Sequence, residues 1–246
     1  MKFQIILLSL FTAVFLITGC SSSKIYTEET NRQMNKSFTR EITKTISANY
    51  LLYLPKEYGK EKKEWPLVLF LHGIGERGND LELVKRHGPP MLAAHGKEFP
   101  FILISPQCPD DSWWSNDVLD GLLQDVEEKY DVDKNKVYVT GLSMGGFGTW
   151  SLAMAFPHRF AAIAPVCGAG NAFNICNLKD TPVWAFHGAK DNVVPISEDQ
   201  KLIDALKKCG GDVKFTIYPN ATHDSWTETY NNPELYKWLL SHTLKK

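Results

Sequence analysis

Short apolar runs alternate with amphipathic segments along most of the chain. Several runs are apolar at nearly every position, which is typical of strands buried on both faces of a parallel sheet. Strands that alternate with helical segments indicate an α/β fold, with a mostly parallel central sheet and helices on both faces. The predicted strands are residues 50–54, 67–71, 101–105, 137–140, 161–166, 183–187 and 214–218.

Two of the intervening segments have helical periodicity. Apolar residues recur at three- and four-residue spacing across 118–126, and acidic residues occupy the opposite face. Leu202, Ile203 and Leu206 repeat this pattern beside lysines. Both segments are predicted to be surface helices that pack on the sheet. Residues 47–55 are expected to belong to an antiparallel hairpin that precedes the parallel strands.

The first 20 residues differ from the rest of the chain. Lys2 precedes an apolar run from Ile5 to Ile17, which has the length of the core of an export signal. The run is followed by small residues and then Cys20, a pattern that resembles a bacterial lipoprotein signal. An ordinary signal peptide, or an uncleaved anchor with an incidental cysteine, is the alternative.

This interpretation divides the chain into three parts. Residues 1–19 are expected to be a lipoprotein signal peptide, residues 20–36 a flexible polar tether, and residues 37–246 a single folded domain. Cys20 is expected to carry the lipid. The exported domain would then be anchored to a bacterial membrane, on its periplasmic or cell-surface face.

Composition narrows the functional classes. The 246 residues are 43% hydrophobic, which suits one large domain with a buried core and excludes a disordered chain. With 27 basic and 28 acidic side chains the net charge is −1, so nucleic acid is not an expected partner.

The five cysteines are scattered and match no paired metal-binding motif, so no metal site is predicted. Export permits a disulfide between Cys167 and Cys176, which are close in sequence. Cys108 and Cys209 are equally compatible with buried free thiols, and the sequence alone decides no pairing.

The strongest chemical signal is the Gly-Leu-Ser-Met-Gly-Gly segment at 141–146. It directly follows a predicted strand and precedes a helical segment at 149–155. A serine on such a sharp turn has its hydroxyl exposed above the sheet, and glycines are needed beside it because little space remains for side chains. Ser143 is therefore the candidate nucleophile. The alternative is a glycine-rich turn that packs tightly or binds a phosphate.

A serine nucleophile needs a histidine base and a carboxylate that orients the histidine. In the fold that this turn predicts, the acid and then the histidine follow the serine on loops beyond later strands. Asp191 and His223 each lie just past a predicted strand and in this order. His187 closes a strand and is expected to order the loop that follows it. The predicted catalytic triad is Ser143, Asp191 and His223.

The backbone N–H groups of Ile74 and Met144 are the candidate oxyanion-hole donors. Met144 follows the serine, and Ile74 lies in a glycine-rich loop directly after the predicted strand at 67–71. Glycines at positions 73, 75 and 78 also have the spacing of a dinucleotide-binding loop. No helical pattern opens at the third glycine, as such a loop requires, so no nucleotide cofactor is expected.

These segments together resemble the α/β-hydrolase serine esterases. More narrowly, they resemble the phospholipase/carboxylesterase and feruloyl-esterase-like group, which is related to dienelactone hydrolases and to the prolyl oligopeptidase catalytic domain. The resemblance rests on residues 65–73, 141–146, 187–191 and the His223 loop, and covers about residues 45–244. It implies hydrolysis through an acyl-enzyme on Ser143 without a metal or an organic cofactor.

Two departures from the related families bear on the reaction. Dienelactone hydrolases have a cysteine nucleophile, whereas position 143 is serine. Oligopeptidases carry a large propeller, and such a domain does not fit in 246 residues. Both departures favour an ester hydrolase.

The expected partner is a small-molecule or oligosaccharide ester. Trp113, Trp114 and Trp226 lie on predicted loops at the catalytic edge and are candidate substrate-binding residues, although tryptophans there can also cap the core. The resemblance suggests feruloyl or acetyl-xylan esters of plant polysaccharide fragments. The alternatives are a lipase, phospholipase or peptidase that acts through the same triad, and a non-catalytic binding lipoprotein.

Overall fold

The computed structural model describes residues 35–244. The predicted signal peptide, Cys20 and almost all of the predicted tether lie outside these residues. Residues 35–49 contain no helix or strand, and every described element lies in the second of the two units into which the chain divides, Lys44–Lys246.

Seven strands form one sheet, in the order β1-β3-β2-β4-β5-β6-β7. All neighbouring strands are parallel except for the pair formed by β1 and β3. The seven predicted strands are confirmed, and the predicted mostly parallel sheet with them. The strands are β1 Tyr50–Tyr53, β2 Trp65–Leu71, β3 Ile102–Pro106, β4 Val132–Leu142, β5 Ala162–Val166, β6 Val183–Gly188 and β7 Val213–Tyr218.

The predicted hairpin at the start of the domain is wrong. Strand β1 is antiparallel, but its partner is β3, with Tyr50 opposite Pro106 and Tyr53 opposite Leu103. The short run of half-buried residues in β1 predicts a strand, but it carries no information on which later strand it will pair with.

The helices cover both faces of the sheet, as predicted. Side chains of one strand point alternately to the two faces, so Leu67, Leu69 and Leu71 of β2 join one core, whereas Val68 and Phe70 join the other. The first core is covered by α2, α3 and α4, and the second by α1, α5 and α6. These helices are α1 Gly88–Ala94, α2 Asn116–Lys129, α3 Met144–Ala155, α4 Ser197–Lys208, α5 Trp226–Asn231 and α6 Pro233–Leu240.

The two segments with helical periodicity form the helices α2 and α4, as predicted. The buried residues of α2 are Leu119, Leu122, Leu123 and Val126, which lie on one side of the helix. In α4, Leu202, Ile203 and Leu206 are buried in the same core. Burial of each such aliphatic side chain contributes roughly 1.5–3 kcal/mol, which fixes both helices against the sheet.

The structure pairs the cysteines differently from the sequence-based suggestion. Cys176 forms a disulfide with Cys209, whereas Cys108 and Cys167 are buried free thiols. Cys176 lies in a short 3₁₀ helix, Ala172–Leu178, which packs on α4, and Cys209 ends α4. Of the alternatives that the sequence left open, the Cys167–Cys176 pair does not form and Cys209 is not a free thiol, whereas Cys108 is one. Proximity in sequence does not identify the partner of Cys176, because packing of the 3₁₀ helix on α4 brings Cys209 to it.

No helix among residues 35–244 combines the length and the apolar character that crossing a membrane requires.

Candidate active site

Ser143 occupies the turn between β4 and α3. Its backbone has φ 53° and ψ −117°, in the region that L-residues other than glycine rarely adopt. A side chain at Gly145 would overlap the carbonyl of Leu71, and one at Gly141 would overlap the carbonyl of Gly145. The two glycines thus let α3 begin directly against the end of β2, which explains why the sequence has glycine on both sides of the serine.

The structure brings Ser143, His223 and Asp191 together in a hydrogen-bonded chain. The Oγ of Ser143 lies 2.9 Å from Nε2 of His223, and Nδ1 of His223 lies 2.8 Å from Oδ2 of Asp191. Asp191 follows β6 and His223 follows β7, so both side chains come from the carboxyl edge of the sheet. The side chain of His223 is 19% exposed and that of Asp191 is fully buried.

Backbone amides hold the carboxylate of Asp191 in place. Its Oδ1 accepts hydrogen bonds from the N–H groups of Val193 and Val194, both at 2.9 Å, while Oδ2 faces His223. A carboxylate accepts hydrogen bonds, so Nδ1 of His223 carries a proton and Nε2 is free to accept one from the serine. This tautomer is the one that a serine nucleophile requires.

The predicted oxyanion donors lie at the start of two helices. Ile74 begins a 3₁₀ helix, Ile74–Glu76, and Met144 begins α3, so neither N–H has a partner within its own helix. The loop of Ile74 passes beside the nucleophile, because a Cβ built at Gly73 would lie 3.7 Å from Cβ of Ser143.

His72 fixes the backbone of this loop. Its Nε2 accepts the N–H of Cys108 at 3.0 Å, so Nδ1 carries the proton and donates to the carbonyl of Gly73 at 2.6 Å. Burial lowers the pKa of His72 to about 4; the hydrogen bond to Gly73 opposes this shift and the charge of Arg77 adds to it. The ring is therefore neutral at neutral pH. The sequence order excludes His72 from the triad and gives no sign of this bracing role.

The three candidate tryptophans have different positions. Trp113 is 58% exposed, and its ring lies edge-on to Phe147 at 5.9 Å. Trp226 is the first residue of α5 and contacts the ring of His223 at 5.2 Å. Trp114 is half-buried, stacks edge-on to His72 at 4.7 Å and donates to its carbonyl. Trp113 and Trp226 thus face the catalytic edge, whereas Trp114 packs beneath the loop of Ile74.

A second histidine lies against the triad. His187, at the end of β6, is buried, and its Nε2 is 3.3 Å from Oδ2 of Asp191. Its Nδ1 is 2.7 Å from Oδ2 of Asp199, whose Oδ1 accepts the indole N–H of Trp150 at 2.8 Å. The sequence places His187 four residues before Asp191 at the same strand end, which was a signal of proximity, but Asp199 on α4 could not be connected to it from the sequence.

One set of three potential metal ligands occurs within the described residues. Atoms of Cys167, Asp191 and His223 lie within 4.8 Å of one another. Burial raises the pKa of the Cys167 thiol, so this group is protonated at neutral pH. The other two side chains hydrogen-bond to each other, and the set fits a hydrogen-bonded triad with a buried thiol beside it.

Known proteins with similar sequences include ester hydrolases. The chain is 25% identical over 190 residues to the bifunctional acetylxylan esterase/xylanase XynS20E of Neocallimastix patriciarum. This match covers 70% of this chain and 26% of that protein. It is 25% identical over 167 residues to the probable feruloyl esterase C of Aspergillus terreus, covering 65% of this chain and 61% of that protein. The chain thus spans less than two thirds of either relative.

Among solved structures, the fold is similar to that of a thermostable esterase. The TM-score is 0.68 and the sequence identity 34%, and the match covers 79% of this chain and 59% of the other. The sequence pattern of the dienelactone hydrolase family matches residues 111–235, which is a little over half of the 246 residues and includes Ser143, Asp191 and His223. Together with the α/β sheet, this match shows that the chain belongs to the dienelactone hydrolase family, with serine at position 143.

Proposed function

We propose that the protein is a serine hydrolase that cleaves carboxylic esters through an acyl-enzyme on Ser143. The observation that carries this proposal is the chain of hydrogen bonds from Oγ of Ser143 through His223 to Asp191, at 2.9 and 2.8 Å. A nucleophile, a base and a carboxylate in this geometry are what acyl transfer by a serine needs.

The reaction follows from the positions of these groups. The Oγ of Ser143 attacks the ester carbonyl carbon while Nε2 of His223 takes its proton, and the carbonyl oxygen becomes an oxyanion. His223 then returns the proton to the leaving alcohol as the tetrahedral intermediate collapses to the acyl-enzyme. A water molecule repeats these steps, releases the acid and restores the serine.

The oxyanion is stabilised by the N–H groups of Ile74 and Met144. Both donors belong to backbone that is fixed before the substrate arrives, since α3 holds Met144 and the ring of His72 holds the loop of Ile74. A preorganised donor of this kind contributes about 10²–10³ in kcat. The bracing of the loop by His72 is therefore part of the proposed catalytic arrangement.

The substrate is proposed to be a feruloyl or acetyl ester on a plant polysaccharide fragment. The relatives described as a probable feruloyl esterase and as an acetylxylan esterase support this substrate class. The exposed ring of Trp113 beside Phe147, and the ring of Trp226 beside His223, offer apolar surfaces on which an aromatic acyl group or a sugar can stack.

The protein is further proposed to be exported and lipid-anchored through Cys20. The sequence before Cys20 supports this proposal. The disulfide between Cys176 and Cys209 supports export independently, because disulfides persist in oxidising compartments and are rare in the cytosol.

A fluorophosphonate probe tests the nucleophile directly. Wild-type protein is expected to be labelled on Ser143 and to hydrolyse p-nitrophenyl acetate. Ser143→Ala removes the attacking oxygen, so labelling should disappear and kcat should fall by about 10⁴–10⁶ while the fold is kept. Ser151→Ala is the matched control, since Ser151 is an exposed serine on α3, the helix that follows Ser143, and is hydrogen-bonded to Asn116.

Labelled Ser143→Ala protein, or full hydrolysis by this variant, would show that the nucleophile is another residue. A panel of methyl ferulate, acetylated xylan and a phospholipid then separates the substrate classes. Preference for the phospholipid would contradict the proposed polysaccharide ester. Failure of wild-type protein to react with the probe or with any ester would instead favour a non-catalytic binding protein.

A further inference from the structure

His187 presents both of its ring nitrogens to hydrogen-bond acceptors in a place without solvent. Its side chain is 0% exposed, Nδ1 lies 2.7 Å from Oδ2 of Asp199, and Nε2 lies 2.9 Å from the carbonyl oxygen of Val194. Nε2 also lies 3.3 Å from Oδ2 of Asp191, the acid of the triad. A carbonyl oxygen only accepts, so Nε2 carries a proton and donates it.

The second ring nitrogen of His187 shares a proton with Asp199. Besides facing Nδ1 of His187, the carboxylate of Asp199 accepts the indole N–H of Trp150 at 2.8 Å and the N–H of Gly168 at 3.3 Å. Burial raises the pKa of Asp199, and the hydrogen bonds from His187, Trp150 and Gly168, together with the charge of His187, oppose that shift. Because N–H groups surround both oxygens, the geometry favours an ionised carboxylate, with the shared proton on Nδ1 of His187.

The balance of forces on His187 agrees with this assignment. Desolvation by burial lowers the pKa of His187, but the hydrogen bond and the charge of Asp199 raise it, with further contributions from the Val194 carbonyl and the charge of Asp191. The net direction is upward, towards the protonated ring.

No other cation is paired with these two carboxylates in the part of the chain that the structure describes. The ion pairs of Asp191 and Asp199 within residues 35–244 involve only His187 and His223. The titratable groups that face His187 are Asp199 on α4 and Asp191 on the loop after β6. On the other side of Asp191 lie His223 and the thiol of Cys167, whose pKa is raised by burial.

We propose that His187 is a buried imidazolium that positions Asp191 and compensates its charge, which makes it a positioning residue for the hydrolysis proposed above. Val194 shows the positioning, because its N–H donates to Asp191 while its carbonyl accepts from His187. The loop that carries the triad acid is thereby fixed through both backbone groups of Val194. This inference rests on the proposed function only for its catalytic consequence.

The charge of His187 also enters the charge balance around the triad. With Asp191 and Asp199 ionised and His187 protonated, the cluster carries one net negative charge when His223 is neutral. The proton that Ser143 gives to His223 brings the net charge to zero. Without the imidazolium the resting cluster carries two negative charges, so His223 holds its proton to higher pH and is unavailable as a base.

Kinetics of His187→Gln test this consequence. Glutamine keeps an N–H donor but has no charge. We expect the acidic limb of the kcat/KM profile for p-nitrophenyl acetate to move up by about one pH unit, with KM changed by less than about twofold. His158→Gln is the control, because His158 is exposed beyond the end of α3, and its profile should match wild type.

A purely structural role for His187 predicts lower stability with the acidic limb unchanged. A folded His187→Gln protein with a wild-type limb therefore overturns the proposal. If wild-type protein does not react with the fluorophosphonate probe, the proposed function fails instead, and the protonation state of His187 is still measurable.

Nitrogen-15 NMR of the wild-type imidazoles gives that second measurement and covers the case in which the variant does not fold. Both ring nitrogens of His187 should carry a proton and show imidazolium shifts throughout pH 6–8. A neutral ring with one N–H at pH 7 would contradict the proposal whatever the kinetics show.

Discussion

Ser143 and Cys167 are the residues other than glycine that have a left-handed backbone within 35–244, with φ of 53° and 41°. They are neighbours, because the N–H of Ser143 donates to the carbonyl of Val166, the residue before Cys167, at 3.0 Å, and the backbone of Ser143 also contacts the Cys167 thiol. Each such conformation costs about 1–3 kcal/mol and persists because neighbouring strands determine it. The strain therefore coincides with the nucleophile and the residue packed behind it.

At the residue scale, the sequence was most informative where chain order carries meaning. The positions of Asp191 and His223 after successive strands were enough to predict that they meet Ser143, and the structure places them within hydrogen-bond distance. The bracing of the Ile74 loop by His72 and the contact of His187 with Asp199 depend on how side chains from distant segments are oriented in the folded chain. Periodicity and spacing do not encode these orientations, so the sequence predicted neither contact.

His72 should make stability depend on acid pH. Its folded-state pKa is about 4, held down first by burial, whereas the unfolded chain takes up this proton near pH 6.5. Between these values the unfolded state binds more protons, so the contribution is complete above about pH 6.5 and is lost as pH falls towards 4. Urea unfolding at pH 7 and pH 5 should show a loss of about 2 kcal/mol from this group.

The variant His72→Gln isolates this contribution because an amide does not titrate. It is expected to be less stable at pH 7 but to lose about 2 kcal/mol less than wild type between pH 7 and 5. His95→Gln, which removes an exposed histidine, should follow the wild-type slope. Equal slopes for His72→Gln and wild type would mean that His72 is not held neutral by the fold.

At the element scale, the loops after β6 and β7 are joined directly through their backbones. The N–H of Ala189 donates to Tyr218 at 2.9 Å and that of Lys190 donates to Ala221 at 3.0 Å. A side chain at Gly188 would overlap the carbonyl oxygens of Ala221 and Thr222. The close approach of these two loops fixes the distance between the acid and the base of the triad.

Gly188→Ala should therefore separate Asp191 from His223. Because the obstructing atoms are backbone, the His223 loop must move, and a displacement near 1 Å costs about 10²-fold in kcat. We also expect a loss of stability of about 1–3 kcal/mol from overpacking. Gly75→Ala is the control for stability, since open space surrounds a Cβ there. Wild-type kcat in Gly188→Ala would show that the loops can adjust without cost.

The disulfide joins the 3₁₀ helix at 172–178 to the end of α4 across 33 residues. A loop of this size should contribute about 3–4 kcal/mol, chiefly by restricting the unfolded chain. Cys176→Ser combined with Cys209→Ser should lower the urea midpoint accordingly and make it insensitive to reductant. Wild type and Cys108→Ser should both lose stability when reduced. A double variant that still responds to reductant would place the disulfide elsewhere.

Elements could be predicted where the signal is local in the sequence. Short apolar runs predict all seven strands, and helical periodicity predicts α2 and α4. The partner of β1 and the partner of Cys176 are set by the packing of segments more than 30 residues apart. The local pattern of one sequence does not distinguish among the possible distant partners.

At the scale of the whole molecule, the proposed location depends on one cysteine. Each buried acyl methylene contributes about 0.8 kcal/mol, so one acyl chain gives marginal membrane binding and two or more give stable anchoring. The net charge of the chain is only −1, which provides no strong electrostatic attraction to an anionic membrane. If the protein is membrane-bound, covalent lipid on Cys20 is the source of affinity that the sequence supports.

Expression of the full chain in a bacterium supplied with a clickable fatty acid tests this location. Wild-type protein and Cys108→Ser should incorporate the label and sediment with membranes, because their lipidation signal is intact. Cys20→Ala should incorporate none and leave the membrane fraction, yet hydrolyse p-nitrophenyl acetate as wild type does, since the triad lies far along the chain from position 20. Mass spectrometry of the mature N-terminus identifies the modified residue. Labelled Cys20→Ala protein would place the lipid on another residue and refute anchoring through Cys20. An unmodified wild-type chain that begins at another residue would refute lipid anchoring and leave export by an ordinary signal peptide as the better account of the first 20 residues.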